Sequence, residues 1–320
     1  MAWIRVATSL PEMEVLRPYW EHLYDRGSYT IFQSYAWNRL AAEAFSDRSS
    51  PFVVVCETGG GLALIPGAIR PGALTLLGEE MFDYRDALCS GDGEALLQAW
   101  RRVADQRLPL AFHAVTEDAA RANWQGFELR PFASAPQVHA AAATGQDFVL
   151  GHPLLARMAR KLRRAGARLV KHSGDSGDVI RWICQQKAIN HKGPGVNLFS
   201  DPRRVALVVS AAAADPGSCE VFTLECGGHA IAGVVTLLDF GVRRCYTICY
   251  DRQWQALSPG NSLLFEVTRL SLEQDMDCDY MTGEQPYKLR LANGLMPLYR
   301  VQASAAQLAM RTPRLQAQAA

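Results

Sequence analysis

The sequence lacks any apolar run long enough to cross a membrane, which takes about 18 residues. Its most apolar stretch, Ala206–Ala214, has the length of a buried helix. The first six residues carry neither the basic nor the apolar region of a signal peptide. Net charge is also nearly absent, at +1, so the overall field does not favour a bulk nucleic-acid partner. These absences predict a cytoplasmic protein.

Metal-binding spacings are missing as well. The 8 cysteines include no Cys-x-x-Cys pair, and no group of cysteine and histidine has the spacing of zinc ligands. Several, such as Cys245 and Cys249, lie in apolar strand patterns. We therefore expect reduced, buried thiols and no metal. A disulfide-stapled secreted protein, the alternative, would need the missing signal sequence.

What the chain does contain is the same order of elements twice. Its 320 residues suffice for two domains. Each half shows a meander with a Gly-Gly turn, a loop, a helix that starts at glycine, and a strand. The turn at Gly59-Gly60 lies 168 positions before the turn at Gly227-Gly228. We predict an α+β fold of two lobes, each a mixed, mainly antiparallel sheet flanked by helices. The lobes would span residues 1–150 and 151–305, with a frayed tail at 306–320. A chance likeness of two α+β domains is the alternative.

A natural anion site follows the meander in the second half, where a strand leads into a glycine-started helix. Pro259 presets φ at the helix start, Gly260 lets a ligand approach the backbone, and Ser258 can cap the first turn or bind a phosphate. Free N–H groups and the positive helix end attract anions. The residues of this candidate site are Tyr250, Ser258, Pro259, Gly260, Asn261 and Ser262. A well-capped helix without a ligand is the alternative.

The matching junction in the first half is acidic. Asp92 and Glu94 flank its glycine, and their carboxylates suit capping but would repel a phosphate. If one half binds a phosphorylated cofactor, we therefore expect it to be the second.

Three motifs of the second half occur together: Tyr250-Asp251, Ser258-Pro259-Gly260, and Asp279-x-x-x-Gly283-x-x-x-Tyr287-Lys288. In this respect residues 245–288 resemble the CelD/BcsL-like acyltransferases, a branch of the GNAT superfamily related in fold to the FemAB proteins. Residues 32–37 and 198–202 also look like that family. The resemblance implies two GNAT-like lobes facing across a cleft. The second would be catalytic and bind acyl-CoA as co-substrate, and the first would be non-catalytic, on the acceptor side. The Arg/Gln-x-x-Gly-x-Gly/Ala phosphate loop of single-domain GNAT enzymes is missing here.

Acyl transfer needs a base for the acceptor's proton, donors for the oxyanion, and a proton or cation for the departing thiolate. In GNAT folds the strand before the cofactor helix, here 245–250, supplies a backbone N–H for the thioester oxygen. Tyr287 is a candidate acid, and Lys288 a candidate for stabilising the oxyanion or a phosphate. We expect Pro286 to turn the chain so that both reach the cleft. Three carboxylates could be the base if burial raises a pKa: Asp251, Asp279 and Glu284. As alternatives, Asp279 only caps a strand end and Asp251 only supports a turn.

The acceptor side has weaker signals. Lys187 and His191 lie in or beside the polar loop at 190–195 and could contact the acceptor, although a loop histidine is more often only solvated. The pair Asp83-Tyr84 falls where the family shows an acidic-aromatic pair, or it is a surface turn.

A basic segment runs from Arg157 to Lys171 and is a candidate contact for an anionic surface; its first part, from Pro153 to Ala165, is predicted to be a very basic helix. Arg157, Arg160, Lys161 and Arg164 share one face, and Leu154, Leu155, Met158 and Leu162 the other. Such a run is usually a solvated face. An anionic membrane surface, a tRNA and a polyanionic glycan are the alternatives.

Together these features predict an N- or O-acyltransferase that moves an acyl (acetyl) group from acyl-CoA to an amine or hydroxyl. Family association alone suggests a sugar or polysaccharide precursor as acceptor. One alternative is a FemAB-like transferase that uses aminoacyl-tRNA. Another is a non-catalytic module that keeps the fold to bind a partner.

Overall fold

The computed structural model describes residues 2–78, 81–124, 127–172, 176–192 and 195–311. The chain divides into two compact units. Unit 1 is Met1–Ala133 with Pro297–Ala320, and unit 2 is Ser134–Met296. The sequence placed the boundary at 150/151, whereas unit 2 begins earlier and ends before the C-terminal strand.

Unit 1 is a mainly antiparallel sheet flanked by helices. Its elements are β1 (Trp3–Ala7), α1 (Leu10–Arg26), α2 (Tyr35–Ala44), β2 (Ser50–Thr58), β3 (Gly61–Arg70), β4 (Ala73–Leu76), β5 (Leu88–Gly91), α3 (Glu94–Ala104), β6 (Leu110–Thr116) and α4 (Glu117–Asn123). The strand order is β1-β2-β3-β4-β6, with β5 on the edge of β3 and only β4–β6 parallel. Strand β2 is buried on both faces, because Val53 packs in the cluster of α1 and Val54 in that of α3.

Unit 2 follows the same plan. Its elements are β7 (Glu128–Val138, which crosses the boundary), α5 (Gly145–Gly151), α6 (Pro153–Arg164), β8 (Arg168–His172), α7 (Gly177–Asn190), α8 (Pro202–Ala214), β9 (Cys219–Cys226), β10 (His229–Asp239), β11 (Val242–Tyr250), α9 (Pro259–Glu273), β12 (Asp277–Asp279) and α10 (Pro286–Leu289). The chain ends with β13 (Gly294–Ala303) and α11 (Ala305–Arg311). The strand order in unit 2 is β8-β9-β10-β11-β12-β7, with only β11–β12 parallel.

The predicted repeat is present in the structure. The series β1-α1-α2-β2-β3-β4-α3-β6 of unit 1 corresponds to β8-α7-α8-β9-β10-β11-α9-β12 of unit 2. In each unit, alternating apolar residues of the central meander pack against the helix that follows it, α3 in unit 1 and α9 in unit 2. In unit 2, Leu263 and Val267 of α9 lie in one cluster with Ile231 and Val234 of β10. Both units therefore have the α+β architecture that the sequence predicts.

The last strand of the first half, β7, joins the sheet of unit 2, and the last strand of the second half, β13, joins the sheet of unit 1. Residues Gln137 and Val138 of β7 pair with β12, whereas Leu298–Ala303 of β13 pair with β6. This exchange explains why unit 1 is discontinuous in sequence. Where we expected a frayed tail from 306, α11 forms a helix with Leu308 buried, and 312–320 lie outside the described residues.

Two global expectations can be compared with this fold. In the part of the chain that the structure describes, no helix is long and apolar enough to span a bilayer. All eight cysteines are free thiols.

Candidate active site

A cavity of about 370 Å³ opens in unit 2 where β11 ends and α9 begins. Its walls come from the end of α7 and the loop after it, from β11, from the first turn of α9, and from α10. The lining residues are Lys187, Asn190, His191, Lys192, Val196, Asn197, Leu198, Phe199, Ile248, Cys249, Tyr250, Gly260, Asn261 and Tyr287. Six of the residues that the sequence singled out therefore meet in one cavity: Lys187, His191, Tyr250, Gly260, Asn261 and Tyr287.

Strand β11 creates the opening because only its first residues pair with β12. The parallel register covers Val242–Arg244 and stops there. On its other side β11 pairs with β10, but the register shifts at one point, where Val235 faces Thr247 and Thr236 faces Cys245. Such β-bulges bend a strand and are common beside active sites. The second half of β11, the predicted source of an oxyanion N–H, thus leaves β12 and runs along the cavity.

The start of α9 is open toward this cavity. Ser258 adopts a left-handed conformation (φ 47°), and its side chain makes no capping hydrogen bond. Pro259 has no N–H, so the free first-turn amides belong to Gly260 and Asn261, which both line the cavity. A Cβ on Gly260 would lie 3.4 Å from Cδ1 of Tyr250, an ordinary contact, so Gly260 is not required by its backbone geometry.

Helix α3, the counterpart in unit 1, is closed. Gly93 is left-handed there, and Oδ1 of Asp92 accepts a hydrogen bond from the N–H of Glu94 at 3.0 Å. A carboxylate thus occupies the position where a phosphate would bind. This contrast agrees with the prediction that only the second helix start suits an anion.

Ser262, the last residue of the predicted anion site, points elsewhere. It is fully buried, and its Oγ has no hydrogen-bond partner among the described residues. It lines a second cavity of about 370 Å³ between α6, β8 and α9. Neither Ser258 nor Pro259 lines the first cavity, so the candidate anion site reduces to Tyr250, Gly260 and Asn261.

Lys187 contributes a positive group without a counter-ion. Helix α7 packs close to the sheet, since a Cβ on Gly233 would come within 2.6 Å of Ile183. One turn on, Lys187 lies beside the buried thiol of Cys249. Much of the lysine side chain is exposed, yet partial desolvation lowers the pKa of its amine. Burial raises the pKa of Cys249 to about 12, although Lys187 opposes the shift, so this thiol stays neutral. Within the described ranges Lys187 makes no hydrogen bond or ion pair.

Tyr287 and Lys288 separate, contrary to the expectation that both reach the cleft. Pro286 does turn the chain, but into the short helix α10, where neighbouring side chains differ by about 100°. Tyr287 lines the cavity, and burial raises its pKa to about 12. Lys288 is buried, and its Nζ donates to the carbonyls of Met281 at 3.2 Å and Thr282 at 2.9 Å. It therefore holds the loop after β12.

None of the three candidate carboxylates lines the cavity. Asp279 is fully buried and accepts from Nη1 of Arg244 at 2.6 Å and from the N–H of Met281 at 2.7 Å. Asp251 accepts from the N–H of Gln253 at 2.9 Å and so caps a 3-10 turn. Glu284 is exposed and accepts from Oγ of Ser134 at 2.7 Å. Asp251 thus supports a turn and Asp279 accepts a bond at the end of β12, as their structural alternatives predicted, whereas the ion pair of Asp279 with Arg244 and the contact of Glu284 with Ser134 were not predicted.

The histidine is better placed than the carboxylates. His191 lines the cavity, and its Nε2 lies 2.9 Å from the carbonyl of Gly195. Because a carbonyl only accepts, Nε2 carries the hydrogen in that contact and Nδ1 is left as an acceptor. Residues 193 and 194 of this predicted loop lie outside the described residues.

The first-half pair belongs to unit 1. Tyr84 is 2% exposed, has φ 52°, and packs against Phe32. Its carbonyl accepts from Nε2 of Gln33 at 2.5 Å. Asp83 beside it is half-buried. Tyr84 is therefore part of the aromatic core of unit 1 rather than of a surface turn.

Asn190 was not among the predicted site residues, although it directly precedes His191. Its Nδ2 donates to the carbonyl of Tyr250 at 2.6 Å, and its Oδ1 accepts from Nε of Arg252 at 2.7 Å. These bonds tie the end of α7 to the end of β11 and so fix the two main walls of the cavity.

Residues 155–289 match the family model of the acetyltransferase (GNAT) domain. Unit 2 carries a GNAT-type acyltransferase domain. The match covers the cavity and every lining residue. In the comparison with curated proteins, no sequence matches.

Solved structures show the same fold over nearly the whole chain. L-PGS from Bacillus licheniformis is 11% identical, with 95% of this chain and 96% of that chain covered and a TM-score of 0.61. A domain described as the C-terminal part of a lysylphosphatidylglycerol synthetase from Agrobacterium fabrum is 12% identical (93% and 94% covered, TM-score 0.60). FemX is 7% identical (97% and 100% covered, TM-score 0.57). At these identities the likeness concerns the fold.

Among the described residues, no group of three or more His, Cys, Asp or Glu side chains is placed to hold a metal ion. The polar residues that line the cavity are two lysines, a histidine, two tyrosines, three asparagines and a cysteine, together with the backbone at the start of α9. Such a set suits an anionic, activated acyl donor.

Proposed function

We propose that unit 2 transfers an acyl group, acetyl in the simplest case, from acyl-CoA to an amine or hydroxyl, through the cavity at the start of α9. The observation that carries the proposal is the meeting of three features in one cavity of about 370 Å³: a helix start without a side-chain cap, Lys187, which has no ion pair among the described residues, and Tyr287. Unit 1, whose matching helix is capped by Asp92, is then the non-catalytic lobe on the acceptor side.

When bound, acyl-CoA would supply an activated thioester and several phosphate charges. The amides of Gly260 and Asn261 are the groups that would hold a phosphate. Lys187 would add positive charge where an oxyanion forms. Nδ1 of His191 can accept the acceptor's proton, which replaces the carboxylates in the role of base.

Tyr287 acts in this proposal as a hydrogen-bond donor. With a pKa of about 12 it stays protonated at neutral pH. A thiol has a pKa near 8.5, so full proton transfer from Tyr287 to a thiolate would be uphill by roughly 5 kcal/mol. Donating a hydrogen bond to the oxyanion or the departing thiolate has no such cost. Tyr287 therefore stabilises negative charge rather than completing a proton transfer.

The finer assignments rest on the sequence. The three motifs of the second half favour the CelD/BcsL-like branch, which associates the acceptor with a sugar or a polysaccharide precursor. Free thiols suit a reducing compartment, which supports the proposal that the reaction takes place in the cytoplasm.

Ligand binding tests the donor site directly. Acetyl-CoA at 100 times its Kd should stabilise the protein by about 2.7 kcal/mol and raise its melting temperature. Gly260→Asp brings into unit 2 the charge that Asp92 brings to unit 1, and it should abolish this shift. Gly260→Asn, equal in size but neutral, is the matched control and should keep much of it. If the two variants lose the shift equally, or neither does, the phosphate does not bind at α9.

A FemAB-like aminoacyl transfer is the second candidate. It is favoured by the fold shared with FemX and by the lack, in the sequence, of the phosphate-loop motif of single-domain GNAT enzymes. Radiolabelled acetyl-CoA and aminoacyl-tRNA, offered with the same panel of amine and hydroxyl acceptors, separate the two. Consumption of aminoacyl-tRNA alone would replace our proposal. Consumption of neither, with ligand still bound, would favour the non-catalytic module.

A further inference from the structure

The basic segment expected from Arg157 to Lys171 is helical only as far as Arg164, because Lys171 lies in β8 and pairs there with Glu220. Helix α6 itself presents a strongly cationic face to solvent. Arg157, Arg160, Lys161 and Arg164 are all exposed, while Leu155, Ala156, Ala159 and Leu162 are buried on the opposite side. None of these four cations has a hydrogen bond or ion pair within the described ranges. Arg163, at the edge of the face, does pair, with Glu266 at 2.6 Å. The four charges are therefore uncompensated, which suits an anionic surface.

Two leucines close to these cations in the sequence are also exposed to solvent. Leu150 is 70% exposed and Leu154 is 60% exposed. The sequence placed Leu154 on the apolar face, but only Leu155 and Leu162 of that set are buried and Met158 is half-buried. Leu154 and Lys161 are seven residues apart, so they project on the same side of α6. A helix face that combines the exposed Leu154 with arginines and a lysine matches the pattern of helices that lie at a lipid interface.

A cleft of about 370 Å³ lies on the buried side of α6, between this helix, β8, β9 and α9, and Arg163 connects it to the edge of the cationic face. Apolar side chains from three elements line it: Leu162, Leu169 and Leu224. Three guanidinium groups line it as well: Arg163, Arg168 and Arg269. Arg163 and Arg269 pair with Glu266, whereas Arg168 makes no ion pair among the described residues. Guanidinium groups bind phosphate in a bidentate manner, so the cleft offers both an apolar lining and a phosphate partner.

We propose that the four cations and Leu154 of α6, together with the exposed Leu150 of the preceding helix α5, form a lipid-binding face that docks unit 2 on a membrane surface rich in anionic phospholipid. A single-stranded or folded RNA shares the phosphate chemistry, but proteins that bind it add aromatic side chains on which bases stack. Helix α6 has no aromatic residue and exposes leucine instead. Hydrocarbon contact together with phosphate contact favours a lipid. The inference is independent of the acyl-transfer proposal, because it concerns binding alone.

Flotation with vesicles tests the face. The full chain should bind vesicles of equal phosphatidylglycerol and phosphatidylcholine, and bind pure phosphatidylcholine far less. One cation near an anionic surface strengthens partitioning roughly fivefold. Replacing Arg157, Arg160, Lys161 and Arg164 by Gln should therefore lower the partition coefficient by roughly 10²–10³-fold. The matched control replaces four exposed arginines of unit 1, Arg5, Arg26, Arg48 and Arg107, by Gln, and should retain most of the binding.

The leucines decide between a lipid and any other polyanion. Leu150→Ser with Leu154→Ser should weaken vesicle binding at least tenfold without changing the charge, and the melting temperature should stay the same because both side chains are exposed. The proposal is overturned if the leucine variant binds vesicles like the wild type. It is also overturned if the unit 1 control loses as much binding as the α6 variant, or if tRNA at equal phosphate concentration displaces the vesicles.

Discussion

Replacing Asp279 by Asn tests whether this residue is a base or a structural anion. One guanidinium, that of Arg244, serves two carboxylates: Asp279 at 2.6 Å through Nη1, and Asp239 at 2.6 Å through Nη2. Asp279 is fully buried, and its other oxygen accepts from the N–H of Met281. The variant keeps that second bond through the amide oxygen. Its amide NH₂, however, faces Nη1 of Arg244. Because both groups are hydrogen-bond donors, the bond to Arg244 is lost.

The expected loss follows from this geometry. Breaking a buried ion pair by removing one partner costs about 3–5 kcal/mol. Because Arg244 keeps Asp239, no guanidinium charge is left alone, so the loss should lie near the lower limit, about 3 kcal/mol. For a domain of this size, that corresponds to a melting temperature lower by roughly 6–12 °C. Turnover per folded molecule should hardly change, since Asp279 does not line the cavity.

Urea unfolding and thiol release from acetyl-CoA, measured at a temperature where the variant is folded, separate the two roles. Glu284→Gln is the matched control, because that carboxylate is exposed and its contact with Ser134 survives the change. It should shift the free energy of unfolding by less than about 0.5 kcal/mol. An Asp279→Asn protein with wild-type stability and a turnover reduced about 10²–10⁴-fold would refute this reasoning and restore Asp279 as the base.

Three further expectations concern single residues. Tyr287→Phe should lower kcat about 10²–10³-fold with little change in acetyl-CoA binding, as for a lost oxyanion donor; wild-type kcat would remove Tyr287 from the mechanism. Lys288→Met should lower the free energy of unfolding by about 2–4 kcal/mol, since it deletes two charged hydrogen bonds to buried carbonyls, and equilibrium unfolding against the wild type checks this. Burial raises the pKa of Asp86 from 3.8 to about 7. As the pH rises, this carboxyl therefore loses its proton first in the unfolded protein, which favours unfolding. The free energy of unfolding should fall by roughly 4 kcal/mol between about pH 4 and pH 7. Urea titrations across that range should show a flatter profile for Asp86→Asn, and an identical profile would contradict the assigned shift.

The double α+β architecture could be predicted because its signals are local. The Gly-Gly turns at 59–60 and 227–228 join strands that pair with each other, so neighbouring residues specify the hairpins. The start of α9 was equally readable, because Pro259 and Gly260 act within one turn. The acidic start of α3 could be predicted for the same reason, because Asp92 caps the helix through the N–H of Glu94, only two residues away.

Side-chain direction was predicted less well. The sequence correctly favoured a turn at Pro286, but it did not distinguish a helical turn from another kind. Within α10 the rotation per residue sends Tyr287 into the cavity and Lys288 toward the carbonyls of the preceding loop. The carboxylates illustrate the same limit, because motif spacing does not reveal that Asp279 is paired with Arg244.

The sequence by itself determined which local structures form: the two meanders, the helix starts, and the cationic face of α6. Propensity, turn chemistry and periodicity act within a few residues, so one segment contains all the information. Only the tertiary structure decided which side chains share a cavity. Lys187 and Tyr287 are a hundred residues apart, and they line the same cavity because α7 packs on β11 and β12 separates from it. The exchanged strands β7 and β13 likewise depend on pairing between distant segments, where the free energy comes from the completed sheet rather than from either segment alone.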